Sequence, residues 1–360
     1  MQGSPQSIRG RGAAGNPGNR FERIEYVRDD EFLDPDDCSA DAHAPETVYL
    51  KDPSRSIISR NDSPDIGFDA GVNPYRGCEH GCVYCYARPT HEYLGFSAGL
   101  DFETKILVKE KAPALLRKAL SSPGWRPRVV AMCGATDPYQ PAERRLGITR
   151  GCLEVFLEFR NPVVIITKNR LVTRDVELLA DLARSDAAAV CLSVTTLDAR
   201  LSRNLEPRAS LPQRRLEAIE TLAAAGVPAG VLVAPVIPGL TDHELPSILS
   251  AAARAGARFA GYTLLRLPYG VSSLFEDWLS RHFPDRKEKV LNRVRAMRGG
   301  RLNDPRFGSR MKGEGVFAEQ IENLFSVARR KAGLSGGKPS LSTEAFRRPA
   351  GPQLDLFGRG

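Results

Sequence analysis

The sequence predicts an α/β fold in which about six βα units form a partial (β/α)6, TIM-like barrel, followed by a helical appendage. Short β-branched runs alternate with helical stretches between about residues 68 and 270. Strand runs that are apolar throughout indicate a parallel sheet covered by helices. Six units fall short of the eight in a closed TIM barrel, so we expect an open or partial barrel with its active residues at the carboxyl ends of the strands.

The predicted strands follow one another at regular intervals. They are FDAGVN (68–73), RVVAMCG (128–134), PVVIITK (162–168), AAVCLSV (188–194), PAGVLVAPVI (228–237) and RFAGYTLLRLP (258–268). The intervening segments DVELLADLARS and LPQRRLEAIETLAAAG carry leucine and alanine at three- and four-residue spacing, which predicts helices, and Gly226 closes the second one.

Four regions are expected along the chain. Residues 1–45 contain basic residues and glycines without an apolar run, so they predict a flexible leader and neither a signal peptide nor a membrane anchor. Residues 46–270 form the core, and 271–332 form a basic extension with helices at FEDWLSRHF, RKEKVLNRVRAM and FAEQIENLFSVARRKAG. Residues 333–360 are rich in Gly, Ser and Pro and predict a disordered tail.

Composition indicates a soluble globular protein, with 42% hydrophobic and 26% charged residues. No stretch approaches the roughly 20 apolar residues of a membrane helix, so a cytoplasmic protein without a membrane partner is expected. The net charge of +8 is uneven, because residues 281–330 hold thirteen Lys and Arg against six Asp and Glu. This segment is either a face for a phosphate backbone or a solvated helix surface.

The strongest chemical signal is a cysteine loop, NPYRGCEHGCVYCYARP, directly after the first predicted strand. Cys78, Cys82 and Cys85 are spaced so that three thiolates can converge on one soft metal centre, as a cysteine-ligated iron–sulfur cluster requires. Gly77 and Gly81 let the backbone wrap closely around such a centre. Three thiolates leave one iron of a four-iron cluster without a protein ligand, and an open position of this kind binds substrate or cofactor.

A zinc site is the alternative for this loop, with His80 or His91 as the fourth ligand. Structural zinc usually takes two separated ligand pairs, and the chain has no second CxxC motif. The other cysteines are scattered singly, at Cys38, Cys133, Cys152 and Cys191. The cluster is therefore the favoured interpretation.

The CxxxCxxC loop, with Tyr84 before its last cysteine and a βα series around it, resembles the radical S-adenosylmethionine (SAM) superfamily over about residues 68–270. The resemblance implies a 4Fe-4S cluster whose open iron is chelated by SAM. It also implies reductive cleavage of SAM to methionine and a 5′-deoxyadenosyl radical, which abstracts hydrogen from a substrate. The motifs CVYCYA and CGATDPYQPAE are similar to those of the spore photoproduct lyase-like group.

The same resemblance assigns contacts to SAM at the ends of the next strands. Thr136 and Asp137 resemble the contact for the methionine amino group, and Lys168 the lysine that pairs with the carboxylate. The run SVTT offers Ser193, Thr195 and Thr196 as contacts for the ribose or the carboxylate of SAM. The run EPRASLPQRRLEA, from Glu206 onward, resembles the family's linker into the next helix. Taken alone, Asp137 before a proline is a turn former, and Lys168 is a solvated strand end.

One position departs from the lyase pattern. In photoproduct lyases a cysteine two residues before the Ser-Asp pair donates hydrogen to the substrate radical, whereas Cys133 lies three residues before Thr136. A one-residue offset on a strand turns a side chain to the other face unless a bulge or the strand end absorbs it. Cys133 is therefore either the hydrogen donor or a buried apolar residue. Three tyrosines near the site could relay the radical instead or have structural roles, namely Tyr75, Tyr86 and Tyr139.

Two classes of substrate remain open. The first is DNA, as in a lyase-like repair or modification enzyme, and the second is RNA, protein or a small molecule. A protein that only binds an iron–sulfur cluster or transfers electrons would have no use for the SAM-contact motifs, so this third possibility fits poorly.

The tail motif QLDLF resembles the peptide by which bacterial replication and repair proteins bind the DNA sliding clamp, through Gln353, Leu354, Leu356 and Phe357. A chance pentapeptide, or a tail folded back on the protein, is the alternative. A reductant such as flavodoxin or ferredoxin is a further expected partner.

Overall fold

The computed structural model describes residues 8–22, 45–337 and 339–349, and it confirms the predicted α/β fold with a partial barrel. Six parallel strands and the helices between them follow the predicted order. No helix in these three ranges is both long and apolar enough to cross a membrane.

In the ranges that the structure describes, ten strands form two sheets. They are β1 (Val48–Lys51), β2 (Ile58–Arg60), β3 (Ala70–Val72), β4 (Tyr75–Arg76), β5 (Lys105–Val108), β6 (Val130–Met132), β7 (Val163–Thr167), β8 (Ala188–Ser193), β9 (Ala229–Val236) and β10 (Phe259–Leu264). The larger sheet has the order β10-β9-β8-β7-β6-β3-β2, and β2 is its one antiparallel strand. The smaller sheet has the order β1-β5-β4 and lies beside the start of the barrel.

The two faces of the barrel strands differ in what they contact. Val130 and Met132 of β6 belong to the main core that lies under the helices. Ile166 of β7 pairs in register with Cys191 of β8, and both belong to a second apolar cluster on the interior side. Alternation along each strand therefore places Cys133, one residue beyond β6, on the interior side.

The helices cover the outer face and extend the barrel. They are α1 (Leu100–Thr104), α2 (Ala112–Ser121), α3 (Glu143–Leu146), α4 (Ile148–Phe159), α5 (Val176–Ala183), α6 (Ala199–Leu205), α7 (Pro212–Ala224), α8 (Leu245–Arg254), α9 (Val271–His282), α10 (Pro284–Ala296), α11 (Ser309–Lys312) and α12 (Val316–Lys331). Short 3-10 turns occupy Arg88–Thr90, Glu92–Leu94, Arg170–Asp175 and Asp242–Glu244.

The predicted helical appendage is present as α9 to α12. Helices α9 and α10 form an apolar cluster with Val83 and Tyr84 of the cysteine loop, so they support the loop from one side. Helix α12 packs against α8, and the ring of Phe325 lies 4.6 Å from that of Tyr262. The appendage is therefore part of the scaffold that positions the site.

Two segments at the ends of the chain are packed, which differs from the flexible leader and disordered tail expected for them. Residues 8–22 lie across the cysteine loop and are held there by backbone hydrogen bonds. Within residues 339–349, Leu341 contacts the interior apolar cluster of the barrel, and Phe346 stacks on Phe159 with the ring centres 6.3 Å apart. The motif QLDLF (353–357) lies outside the described residues.

Candidate active site

The cysteine loop begins where β3 and β4 end, at the carboxyl edge of the barrel. Gly77 and Gly81 have φ angles of +81° and +67°, so the chain can reverse twice within the loop. The backbone N–H of Cys78 donates to Phe102 O at 2.9 Å, and that of Val83 donates to Leu205 O at 3.1 Å. These bonds fix the loop between α1 and α6.

The three cysteines lie close together, because Cys85 packs against both the apolar cluster that contains Cys82 and the one that contains Cys78. Cys78 and Cys82 are buried and Cys85 is half-buried. Burial raises the pKa of Cys82, with a further contribution from Glu206, and burial and Cys78 together raise the pKa of Cys85 to about 11. A bound metal centre would offset this unfavourable environment by stabilising the thiolates.

The donor set of three thiols suits an iron–sulfur cluster. Within the described ranges, no three His, Cys, Asp or Glu side chains are grouped closely enough to hold one metal ion. In a four-iron cluster each thiolate binds a different iron, so three cysteines around such a cluster need not meet at one point. Soft sulfur ligands alone, without an oxygen ligand, also suit iron–sulfur chemistry.

Both histidines of the zinc alternative already have partners. The Nδ1 atom of His80 lies 3.3 Å from Asp137 Oδ2, and its Nε2 atom lies 3.1 Å from Asn169 Nδ2. Asn169 Oδ1 accepts from the N–H of Leu171, so its amide NH₂ faces His80, whose Nδ1–H then donates to Asp137. The Nε2 atom of His91 lies 2.9 Å from Lys105 O. Its buried Nδ1 atom has no hydrogen-bond partner among the described residues, so these contacts disfavour zinc held by the cysteines and His80 only.

Asp137 links the cysteine loop to two strand ends. It accepts from Thr167 Oγ1 at 2.6 Å, from the N–H of Lys168 at 2.7 Å and from the N–H of Tyr139 at 2.9 Å, besides its contact with His80. Burial alone would raise the pKa of Asp137, but His80 and these donors lower it below its ordinary value. The carboxylate is thus ionised and fixed at the ends of β6 and β7.

Thr136 makes its hydrogen bonds to the loop itself. Its hydroxyl donates to Gly77 O at 2.6 Å and accepts from Gln140 Nε2 at 2.9 Å. Gln140 in turn accepts from the N–H of Glu79 at 3.0 Å. Thr136 and Gln140 therefore hold the first turn of the cysteine loop against the end of β6.

A buried charged network lies beside the loop at the ends of β7, β8 and β9. At its centre is Glu206, which accepts from Thr195 Oγ1 at 2.8 Å and from the hydroxyl of Tyr84. Lys168 Nζ lies 3.3 Å from the same carboxylate and donates to Ala234 O at 2.8 Å. The network therefore brings together three predicted SAM contacts, namely Tyr84, Lys168 and Thr195.

Glu206 is kept ionised by a second cation. Arg215 of α7 is buried, pairs with Glu206 and donates through Nη1 to Ser193 O at 2.8 Å. Burial would raise the pKa of Glu206, but Arg215 and then Lys168 lower it well below its ordinary value. One carboxylate thus faces two cations, and the ammonium of Lys168 has charge left to attract an anion.

Sequence reasoning did not give Glu206 a chemical role, and it missed Arg215 altogether. It placed Glu206 only at the start of the linker EPRASLPQRRLEA. The run of charged residues between an apolar strand and an apolar helix was the available signal. The burial of Glu206 and Arg215 depends on contacts with β8 and the cysteine loop, and no local sequence pattern reveals these contacts.

The remaining predicted residues lie on the interior face or in the core. Cys133 is buried on the interior side, and burial, followed by Cys191, raises its pKa to about 12, so its S–H stays protonated. Ser193 is buried at the end of β8 on the same side. Tyr75 and Tyr139 are buried and donate to Glu143 and to Asp175, respectively. These two tyrosines therefore have structural contacts.

An arginine–aromatic patch borders the open edge of the barrel, made of Tyr86, Arg266, Phe307 and Arg310. Tyr86 follows the last cysteine and is 52% exposed, and Phe307 is 58% exposed. The guanidinium of Arg266 lies 5.3 Å from the Tyr86 ring, and that of Arg310 lies 4.5 Å from the Phe307 ring. The Nε atom of Arg266 is buried and has no hydrogen-bond partner among the described residues.

Comparison with known proteins agrees with this architecture. The model of the radical SAM superfamily matches residues 72–252, which is half of the chain. The chain belongs to the radical SAM superfamily. The cysteine loop and the network around Lys168 and Glu206 both lie within this matched radical SAM region.

Relatives of this radical SAM protein include two uncharacterized proteins. Rv2578c of Mycobacterium tuberculosis is 41% identical over 222 residues, covering 61% of this chain and 65% of the relative. The match thus spans a little less than two thirds of that relative's length. MJ0683 of Methanocaldococcus jannaschii is 26% identical over 224 residues, covering 62% of this chain and 80% of the relative.

A solved structure with the same fold is a spore photoproduct lyase variant with bound AdoMet and dinucleoside spore photoproduct. It superposes with a TM-score of 0.57 at 15% identity, covering 79% of each chain. At this identity the likeness shows the fold alone. The likeness extends beyond the matched 72–252 region, since it covers more than three quarters of the chain.

Proposed function

We propose that this radical SAM protein holds a 4Fe-4S cluster on Cys78, Cys82 and Cys85 and reductively cleaves SAM to act on DNA. When bound, the cluster supplies the electron that divides SAM into methionine and a 5′-deoxyadenosyl radical. The observation that carries the proposal is the junction of the cysteine loop with the Lys168–Glu206 network, joined directly by the hydrogen bond between Tyr84 and Glu206. The loop would hold the metal, and the network would hold the cofactor beside it.

The residues of the network have distinct parts in this proposal. Lys168 would pair with the SAM carboxylate, and Glu206 and Ala234 O keep its ammonium oriented at the end of β7. Thr195 and Ser193 would contact the carboxylate or ribose from the end of β8. Thr136 and Asp137 are proposed at the amino group, and their bonds to Gly77 and His80 set the position of the loop relative to the strands.

The interior of the barrel is where a radical would meet its substrate. Cys133 is placed there with a protonated thiol, so it has the hydrogen atom that the donor role requires. Apolar side chains such as Ile166 and Leu232 surround this space and would exclude competing solvent. We therefore keep Cys133 as the proposed hydrogen donor to the substrate radical.

The arginine–aromatic patch favours a nucleic acid as substrate. Arg266 offers a buried Nε–H without an acceptor, which a phosphate oxygen would satisfy, and the exposed ring of Tyr86 beside it could stack on a base. A base inside a duplex would have to be flipped out to reach the interior. One structural neighbour supports this direction by name, because the lyase structure holds a dinucleoside spore photoproduct.

The basic extension contributes less free charge than its composition suggests. Arg298 is buried and donates to Leu265 O, Arg310 pairs with Asp65 at 2.5 Å, and Arg293 pairs with Asp242 at 3.1 Å. These three arginines join the extension to the barrel. The exposed Arg286 and Lys289 of α10 remain as candidate phosphate contacts.

Recruitment through the sliding clamp is the third part of the proposal. It rests on the resemblance of Gln353, Leu354, Leu356 and Phe357 to a clamp-binding peptide. The described chain ends nearby at the amino-terminal end of the barrel, where Arg348 donates to Trp125 O at 2.9 Å, just ahead of β6. A peptide that starts there can bind a partner without crossing the carboxyl edge that carries the site.

The substrate is tested by deuterium transfer into 5′-deoxyadenosine. The reconstituted protein, SAM and a reductant would be incubated with deuterated damaged DNA, undamaged DNA or RNA. Deuterium recovered only with DNA supports the proposal. Transfer from RNA, or from neither polymer despite turnover of SAM, contradicts the DNA assignment and favours another radical SAM substrate.

The clamp interaction is tested by fluorescence anisotropy with a peptide spanning residues 348–360 and the purified sliding clamp. Saturable binding that is lost in Gln353→Ala and in Leu356→Ala/Phe357→Ala is expected. If the peptide does not bind, or if the variant peptides bind with the same affinity, clamp recruitment is removed from the proposal. The radical chemistry is independent of this result.

A further inference from the structure

We propose that an arginine-lined depression on the outer face of the cysteine loop is the docking site of an acidic one-electron carrier protein. This inference rests on the proposed function, because a cluster behind the loop needs an electron from outside. The depression has a volume of about 430 Å³, and its border includes Arg9, Arg11, Tyr49, Glu79 and Arg208.

The depression contacts the cysteine loop through Glu79, which is one of its lining residues. Glu79, the residue after the first cysteine, is buried there and pairs with Arg208 at 2.9 Å, and the backbone N–H of Arg208 donates to His80 O at 3.2 Å. The side chain of Cys82 instead packs in an apolar cluster with Leu205 and the helices α9 and α10. The depression and the proposed cluster site therefore contact different sides of the cysteine loop.

The cover over the loop is unusually thin. Residues 8–15 pass over it, with a turn closed by the bond from the N–H of Arg11 to Ile8 O, and Gly12 lies so close that a Cβ there would stand 1.8 Å from Gly81 O. The N–H groups of Gly12 and Ala13 donate to the buried carboxylate of Glu103, at 3.0 and 2.9 Å. Small residues at these positions keep the path from the protein surface to the loop short, as electron transfer requires.

The border of the depression carries positive charge. Arg11 donates to neutral acceptors, Glu103 O at 2.9 Å and Thr47 Oγ1 at 3.2 Å, so its charge is not neutralised by these bonds. Arg9 is exposed, and the exposed Arg145 lies with its guanidinium 4.7 Å from the Tyr49 ring. Glu46 is the exposed acid on this border. A surface with this excess of arginines over carboxylates attracts an acidic partner and steers it toward the cysteine loop.

The position of the depression distinguishes an electron carrier from a nucleic acid. A phosphate backbone would need the positive charge but would gain nothing from a thin cover over the cysteine loop. The substrate side of the loop, at the open edge of the barrel, is already assigned to SAM and the arginine–aromatic patch. In the transfer itself one electron leaves the carrier, which is oxidised by one electron, and the cluster is reduced by one, with no bond or proton moved.

The test compares reduced flavodoxin with dithionite as reductants of the anaerobically reconstituted protein. We expect Arg9→Glu/Arg145→Glu to slow cluster reduction by flavodoxin about tenfold or more at low ionic strength. The rate with dithionite should stay unchanged, and the flavodoxin difference should shrink as salt is added. Binding of labelled flavodoxin, followed by anisotropy, should weaken in parallel.

The matched control is Arg330→Glu/Lys331→Glu, which makes the same charge change at the end of α12. The chain just after α12 passes Arg258 O beside the start of β10, at the opposite end of the barrel. Equal flavodoxin rates in both double variants would overturn the proposal. So would slower reduction by dithionite, or weaker DNA binding with unchanged flavodoxin binding. A wild-type protein that forms no 5′-deoxyadenosine even with dithionite would contradict the proposed function instead.

Discussion

At the scale of single residues, the site depends on one buried carboxylate that joins two parts of the machinery. Glu206 contacts Tyr84 of the cysteine loop and Lys168 of β7, while Arg215 offsets its charge. Such a group is stable only with all its partners, because a buried charge without one costs several kcal/mol. The motif residues could be predicted from the sequence, whereas the group that orients them could not.

Replacing Glu206 by Gln should destabilise the protein strongly. The substitution leaves Arg215 buried without its counter-ion, and the expected loss is about 3–5 kcal/mol in the free energy of unfolding. Chemical denaturation followed by circular dichroism measures it. The exposed Glu220→Gln on α7, the helix that carries Arg215, serves as the control, and equal stabilities of the two variants would contradict the network.

Replacing Lys168 by Met should weaken SAM binding about ten- to a hundredfold, the loss expected for a charge-assisted hydrogen bond. Equilibrium dialysis of SAM with the reconstituted variant measures this change, and iron content and circular dichroism confirm that the fold is intact. The exposed Lys118→Met on α2 is the matched control. Unchanged SAM affinity in Lys168→Met would remove the lysine from the carboxylate site.

At the scale of elements, the strands were predictable and the packed ends were not. The six apolar runs became β3 and β6 to β10, because continuous burial leaves a readable pattern. Residues 8–22 have no periodicity, and their order comes from contacts with residues such as Glu103, about ninety positions away. Leu341 likewise is ordered by the barrel interior and not by its neighbours in sequence.

Gly12→Ala should detach the segment 8–22 from the cysteine loop. A Cβ at Gly12 would collide with Gly81 O, which is backbone and cannot move aside cheaply. We expect faster proteolysis of the amino-terminal segment and faster bleaching of the reconstituted cluster in air. Gly18→Ala is the control, because nothing lies within 4 Å of a Cβ there. Identical behaviour of both variants would show that the close contact has no role.

Truncation should separate the packed part of the tail from the part beyond it. Ending the chain after Gly337 removes Leu341 and Phe346 from their apolar contacts, and the expected loss of stability is about 1–3 kcal/mol. Ending it after Pro349 keeps both side chains, and thermal unfolding should match the full chain. Equal melting temperatures for the two truncations would contradict the packing of residues 339–349.

At the scale of the whole molecule, three surfaces have separate places. The carboxyl edge of the barrel carries the cysteine loop and the arginine–aromatic patch, and the outer face of the loop carries the depression around Arg11. The described chain ends near Trp125, toward the opposite end of the barrel. In the proposed function, a substrate and an electron carrier would therefore bind at separate places on the described part of the chain.

The most direct test of the central claim is the release of 5′-deoxyadenosine from SAM by the anaerobically reconstituted protein under dithionite. We predict about three to four irons per chain and formation of 5′-deoxyadenosine, both lost in Cys82→Ala and retained in Cys152→Ala, which alters a buried cysteine of α4. A wild-type protein with fewer irons and no 5′-deoxyadenosine, or a Cys82→Ala variant as active as Cys152→Ala, would contradict it.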